Sequence, residues 1–254
     1  MSQETENQSS IAGTVVTATQ ILDVIAERGR VYPQDLSREL NLNRSTVHRM
    51  LHTLQILNCV GRQSDGTFRL TFHLFELGNS VPHSHNLIDG VRPHLLQLSQ
   101  DTGFTVNHAI LYEDQVLYID KAAPPSYLQM DRAVGESEPL HCTSLGKVLV
   151  AYQDPSEADA IINRIDYSAQ TEYTITDREI FRREISRVRN QGYALDDREL
   201  ALEVRCVSVP LIRPASSTLS AISVSGPVDR LLRDMVPDIV GRLRDVVAQI
   251  EASL

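Results

Sequence analysis

"LNRSTVHRMLHTLQIL", residues 42–57, carries two kinds of side chain at two phases of one period. At 100° per residue, Val47, Met50, Leu51 and Leu54 fall on one face of a helix. Ser45, Arg49 and His52 project almost opposite, flanked by Thr46 and His48. Arg44 stands in the first turn, where helix amides also favour a phosphate. A solvated surface helix shows the same pattern, so the neighbouring sequence has to decide. Upstream, "TVVTATQILDVIAERG" (14–29) places Val16, Ile21, Val24 and Ile25 near helical spacing and stops at Gly29. "PQDLSREL" (33–40) opens with Pro33, favourable in a first turn, and sets Leu36 and Leu40 four apart. Downstream, "CVGRQSDGTFRLT" (59–71) reads as two short strands around a Ser64-Asp65-Gly66 turn. No Asp or Glu occurs from 41 to 64. Helix, helix, turn, helix, hairpin is the order of a winged helix-turn-helix, whose second paired helix enters the DNA major groove. Arginine there bonds guanine through two hydrogen bonds, while serine and threonine reach bases or phosphates. Arg62 and Arg69 on the hairpin are placed for backbone contacts.

With 254 residues the chain has room for two domains. Its 42% hydrophobic and 22% charged residues are ordinary for a globular protein. No apolar run approaches membrane-spanning length, so no membrane partner is expected. "MSQETENQSSIAG" lacks the basic start and apolar middle of a secretion signal. The expectation is a cytoplasmic protein with a disordered tail over 1–13. Cys59, Cys142 and Cys206 are far apart and form no C-x-x-C pair, so neither a disulfide framework nor a zinc ribbon is indicated. A net charge of −9 argues against nonspecific nucleic-acid binding by the whole chain. Residues 14–72, however, hold seven arginines against five carboxylates, a balance of +2 that leaves −11 elsewhere. Two domains with different partners follow.

From Phe72 to Gly103 the pattern is helical again, with breaks expected at Pro82 and around "PHSHN" (82–86). "FTVNHAILYEDQVLYIDKA" (104–122) reads as a hairpin turning at Glu113 and Asp114. "CTSLGKVLVAY" (142–152) reads as a helix, and "DREIFRREISRVRNQG" (177–192) as another ending at Gly192. "RCVSVPLIRPASSTLSAISVSGP" (205–227) is a second hairpin with its turn near residues 214–217. A long amphipathic helix is expected from about Val228. Helices and antiparallel strands in this order give an α+β domain, not a parallel sheet. The expected boundaries are a winged helix domain at 14–75, a linker at 76–84 and a second domain at 85–254.

"LSRELNLNRSTVHRMLHTLQILNCV" (36–60), followed by "GTFRLTFHLFELG" (66–78), resembles the DNA-binding module of IclR-type bacterial transcriptional regulators. "GESEPLHCTSLGKVLVA" (135–151) is similar to that family's effector-pocket segment. "GYALDDRELALEVRCVSVPLI" (192–212) fits its signature at Gly192, Asp196, Glu199 and Cys206, and "AISVSGP" (221–227) resembles its last pocket strand. The likeness runs from about Ala18 to the end. It implies an α+β chain with a winged helix-turn-helix joined by a linker helix to a GAF-like α/β effector-binding domain built on an antiparallel sheet. It further implies a homodimer formed through the DNA-binding and linker region, further pairing into a homotetramer, and a palindromic operator in double-stranded DNA. A small organic acid would be the effector, with pocket positions Ser144, Leu145, Asp196, Cys206, Ser223 and Ser225.

Those positions make chemical sense by themselves. Ser223 and Ser225 alternate on a strand and so share a face. Opposite a helix N-terminus near Thr143 to Gly146, they form a donor-rich site for a carboxylate. Cys206 is a small neutral wall, and Asp196 can accept from an effector hydroxyl or amide. The plainer reading is serine hydroxyls that satisfy nearby backbone. The chain departs from relatives of short oxo-acid type, which carry small residues where Ser144 and Leu145 stand. Ile212-Arg213 also replaces an aromatic or histidine followed by Asp or Asn. Tyr127, Leu128 and Met130 in "YLQMDRAVGE" (127–136) would add apolar wall. The expectation is a larger, partly apolar or aromatic acid, with a short oxo-acid as the alternative effector. Control by protein partners alone is the alternative mode.

Neither an enzyme nor a cofactor is expected. Cys142 beside His141, or Cys206 with distant partners, lacks any nucleophile signature, and isolated cysteines usually behave as small buried hydrophobes. His83 and His85, with His73 nearby, lack the further ligands a zinc site needs, so no metal is expected.

Overall fold

The computed structural model describes residues 12–84, 88, 90–124, 133–212 and 218–252. Tyr127, Leu128, Met130, His85 and the turn at 214–217 lie outside the described residues, as does the side chain of His83. The chain divides into two compact units between Val81 and Pro82.

In the first unit, α1 (Gly13–Arg28) ends where Gly29, at φ 71°, bonds its amide to the Ile25 carbonyl. That left-handed conformation is one glycine adopts without a steric cost. α2 (Pro33–Glu39) begins with its proline, and Asn41 at φ 51° turns the chain into α3 (Arg44–Ile56). Ser37 Oγ donates to the Leu42 carbonyl at 2.5 Å across that turn. β1 (Val60–Arg62) and β2 (Phe68–Leu70) pair antiparallel, and Val31 bridges Phe68 from the other side. One core joins Ile21, Ile25, Leu36, Val47, Leu51 and Phe68. Val16, expected near that helical stripe, is 42% exposed, because α1's buried residues begin only at Ile21. α4 (Phe72–Ser84) runs two residues past Pro82, where a break was expected. A proline so near a helix end forfeits little of the backbone ladder.

The second unit holds α5 (Arg92–Thr102), β3 (Thr105–Tyr112), β4 (Gln115–Ala122), β5 (Ser137–Pro139), α6 (Ser144–Ala151), α7 (Pro155–Arg164), α8 (Arg178–Gln191), β6 (Ala194–Asp197), β7 (Val204–Leu211), β8 (Ser220–Pro227) and α9 (Val236–Ala252). The strands form one sheet in the order β5-β4-β3-β8-β7-β6, antiparallel throughout. Glu113 and Asp114, at φ 47° and 60°, make the β3–β4 turn as expected. Gly192 caps α8, also as expected.

Alternation along the strands gives the sheet two unlike faces. Val106, Val207, Val209, Ile222 and Val224 pack with α5 and α9. The opposite face presents Ala109, Ala194 and Ala221 to α6, with α8 packed beside it. Small side chains there let α6 approach closely. At Gly146 an added Cβ would stand 2.3 Å from the Leu140 carbonyl oxygen. The final helix starts at Val236, not near Val228. Leu231 bonds back to the Pro227 carbonyl and Val228 to that of Glu203, so this stretch is spent on turns that bury Leu231.

Candidate DNA-binding surface and ligand site

α3 separates its two faces as its sequence predicts. Val47, Met50, Leu51 and Leu54 are buried, while Arg44, Ser45, His48, Arg49 and His52 are exposed and Thr46 is half-buried. Arg62 and Arg69 project from the hairpin and are exposed. Two other arginines of this unit are neutralised, while Arg30, before the second helix, is exposed and forms no ion pair among the described residues. Arg28 pairs with Glu39 at 2.7 Å and Arg38 with Asp35 at 2.8 Å. Arg44, Arg49, Arg62 and Arg69 have no carboxylate partner among the described residues. Asp65, at the hairpin turn, accepts from the Thr67 amide at 2.9 Å and its hydroxyl at 2.6 Å. Those bonds hold its carboxyl below the usual range. The surface therefore offers four uncompensated guanidinium groups, which suits a polyanion.

In the second unit, strand register brings four of the expected ligand positions together. Asp196 lies opposite Cys206, which lies opposite Ser225, and Ser223 is the next residue on that face of β8. β7 and β8 are inner strands, yet Cys206 and Ser225 keep accessible area, which marks a recess among the described residues. α6 covers this face from above. Thr143 caps the helix by accepting from the Gly146 amide at 3.1 Å. The amides of Ser144 and Leu145 then have no acceptor within the helix. Ser144 Oγ, Ser208 Oγ and Asp196 Oδ2 are buried without a hydrogen-bond partner. Leu145 is placed otherwise: its side chain is buried in the apolar cluster with Ala109, Leu149 and Ala221, so only its backbone faces the question of a ligand.

Sequence reading did not find three members of this arrangement. Asn107, on β3 opposite Ser223, donates from its side-chain amide to Ser223 Oγ at 3.3 Å and Ser225 Oγ at 3.0 Å. Ser208, opposite Ser223 on β7, is fully buried. Lys147, 1% exposed, donates to Glu199 Oε1 at 2.5 Å and to the Leu195 carbonyl at 2.9 Å. A lysine on the apolar face of a short helix was the available signal, since such a buried ammonium needs a carboxylate.

Burial, with Glu199's charge next in weight, pushes the Asp196 carboxyl up to about 7. Its Oδ1 accepts from the Glu199 amide at 2.8 Å, which fixes the carboxylate's orientation. Burial likewise pushes the Cys142 thiol up to about 12 and the Cys206 thiol well above its ordinary value. Both are neutral thiols at physiological pH, not activated nucleophiles.

A winged helix with an uncompensated basic face, on the same chain as a recessed polar site, is the arrangement of a DNA-binding regulator. The chain belongs to the IclR family: residues 14–64 match the IclR helix-turn-helix domain, and residues 79–252 match the bacterial transcriptional regulator IclR C-terminal domain. The HTH-type transcriptional regulator KdgR of Escherichia coli (strain K12) is 30% identical over 250 residues, 98% of this chain and 95% of that one. A protein of Rhodococcus sp. RHA1 has a solved structure with TM-score 0.84 and 29% identity, covering 96% of this chain and 98% of its own. An IclR homologue from Microbacterium hydrocarbonoxydans, solved in complex with 4-hydroxybenzoate, shares the fold at TM-score 0.83 and 22% identity over 94% of this chain and 98% of that one. The protein is a DNA-binding transcriptional regulator of the IclR family. Among the described residues, no helix is long and apolar enough to cross a membrane.

Proposed function

We propose that the protein is a cytoplasmic, sequence-specific regulator that binds a palindromic operator as a homodimer and is controlled by a small organic acid. The observation that carries the DNA reading is the set of unpaired arginines on α3 and the hairpin. A two-fold dimer sets its recognition helices in successive major grooves, roughly 34 Å apart. Dimerisation is supported by α4, whose Phe72, Phe75, Leu77 and Val81 are 84%, 69%, 53% and 53% exposed. So much large apolar surface on one helix marks an interaction face.

The acid is received on the face of Ser223, Ser225, Cys206 and Asp196. Buried hydroxyls with unspent hydrogens favour a carboxylate, and the unpartnered Asp196 oxygen favours a donor on the same ligand. The partly apolar or aromatic acid is the reading retained, with a short oxo-acid as the competing effector. A buried and unpaired polar set also speaks against a regulator driven by partner proteins alone. Without a ligand these groups carry their desolvation cost uncompensated.

The test is a thermal-shift screen of the full chain against hydroxybenzoates, dicarboxylates and short oxo-acids. Hits are then assayed on the DNA upstream of its own gene. An acid that raises the unfolding midpoint and changes DNA affinity establishes the sensor. If a compound stabilises the protein but leaves DNA affinity unchanged, it is not the effector. If no acid shifts the midpoint, the acid-controlled reading fails and control by a partner protein replaces it.

A further inference from the structure

Asn107 decides which way the hydrogen bonds of the ligand site run. It lies on β3, 6% exposed, and its amide nitrogen donates to both Ser223 Oγ and Ser225 Oγ. A primary amide has two hydrogens, and both are committed. Each serine hydroxyl has one hydrogen besides its lone pairs. With one lone pair occupied by Asn107, the hydroxyl hydrogen points away from that amide, and the serine offers the hydrogen together with its second lone pair. Ser223 gives its hydrogen to no described acceptor, and Ser225 has only the Cys206 sulfur, a weak acceptor, beside it. Ser208, in register with Ser223, is a further buried hydroxyl without a partner. At the far end of the row stands Asp196, two strands from Ser225, with one carboxylate oxygen unpartnered. Donors thus gather at one end and an acceptor at the other, separated by two strand spacings, about 10 Å between backbones.

We propose that Asn107 polarises this site, so that it selects a hydroxy acid that gives its carboxylate to Ser223 and Ser225 and a hydroxyl to Asp196. The inference rests on the ligand-site reading above and adds the ligand's orientation and minimum length. A two-carbon oxo-acid, even as its hydrate, is too short to span the row. A ring or chain with its hydroxyl several bonds from the carboxylate spans it. Asn107 acts through the serines and is a positioning residue.

Replacing the amide by an isosteric carboxylate tests this directly. In Asn107→Asp the carboxylate accepts from both serines, turning their hydrogens away from the ligand. Calorimetric titrations of the full-length wild type, Asn107→Asp and Ser223→Ala/Ser225→Ala would use 4-hydroxybenzoate, its neutral isostere 4-hydroxybenzamide, and glyoxylate. The wild type is expected to bind the hydroxy acid more tightly than the amide or glyoxylate. Asn107→Asp is expected to lose about 10- to 100-fold for the acid, the worth of charge-assisted hydrogen bonds, and to prefer the amide. The serine double variant keeps the test available if Asn107→Asp does not fold, and should weaken the acid more than the amide, because the acid loses charge-assisted hydrogen bonds and the amide only neutral ones. An unchanged acid-to-amide ratio in either variant overturns the role of Asn107, as does an equal loss of both ligands, which is mere structural damage. Glyoxylate binding the wild type as tightly as 4-hydroxybenzoate overturns the spanning arrangement. If the wild type binds none of the three, the ligand-site reading falls with it.

Discussion

Lys147 and Glu199, 52 residues apart in sequence, are joined by a buried ion pair that ties α6 to the loop after β6. The same Glu199 gives its amide to Asp196, so one residue anchors the helix over the candidate site and orients the carboxylate beneath it. Glu184, 3.9 Å from the ammonium, adds a second negative neighbour.

Removing the ammonium leaves Glu199 buried and uncompensated. Lys147→Met is expected to cost about 3–5 kcal/mol of stability. Pairing it with an apolar residue, Lys147→Met/Glu199→Leu, should recover much of that loss. Chemical denaturation decides the matter: a single variant as stable as the wild type would show that the pair is not buried as described.

Asp196 predicts a pH dependence. Burial first, and Glu199 second, raise its carboxyl to about 7. The native state therefore keeps a proton that the unfolded chain releases near pH 4. Native binding of the extra proton means that stability falls as pH rises from about 4 to about 7. The full loss is on the order of 4 kcal/mol. Asp196→Asn removes the charge and keeps an oxygen for the Glu199 amide. Its stability advantage over the wild type should be larger at pH 8 than at pH 5. Denaturation curves with the same offset at both values would refute the assignment.

The two arginine positions make separable predictions for DNA. Arg49→Ala should cost about 1–3 kcal/mol on the preferred sequence and flatten the preference at one base pair. Arg69→Ala should weaken all duplexes alike and lower the salt slope by about 1. Folding should survive both, since each side chain is exposed. Equal loss on specific and random DNA in Arg49→Ala would take it out of the groove.

Phe75→Glu places a charge on the exposed apolar face of α4. Sedimentation should show the dimer weakening towards monomer, with operator affinity falling alongside. A variant that sediments like the wild type would move the dimer contact elsewhere.

Gly146→Ala tests the fit of α6 against the turn at 140–143 that leads into it. An added methyl meets the Leu140 carbonyl and Thr143 Oγ1, at 2.3 and 2.6 Å. A loss of about 1–3 kcal/mol is expected from such overpacking. A thermal midpoint equal to that of the wild type would contradict the close approach.

The first unit was nearly legible because its information is local. A helical stripe, a capping Gly29 and a Ser-Asp-Gly turn each act within a few residues. The serines of β8 were readable for the same reason, since alternation alone puts Ser223 and Ser225 on one face. Asn107 was not, because its role depends on a strand more than a hundred residues away. Lys147 was hidden similarly, its partner lying beyond a helix pair and a strand. Val228 to Leu231 continued an amphipathic pattern and misled the reading of the last helix. Backbone bonds to Pro227 and Glu203 made turns there instead. Leu145 could be placed near the helix N-terminus from sequence, whereas the apolar cluster that its side chain joins is assembled from distant strands.

α3 keeps its anchoring residues and its exposed residues on opposite sides, with Thr46 half-buried between them. The exposed set is consequently interchangeable. Transplanting another helix's outward residues onto Val47, Met50, Leu51 and Leu54 as scaffold would change what that face presents while the core beneath it stayed as it is.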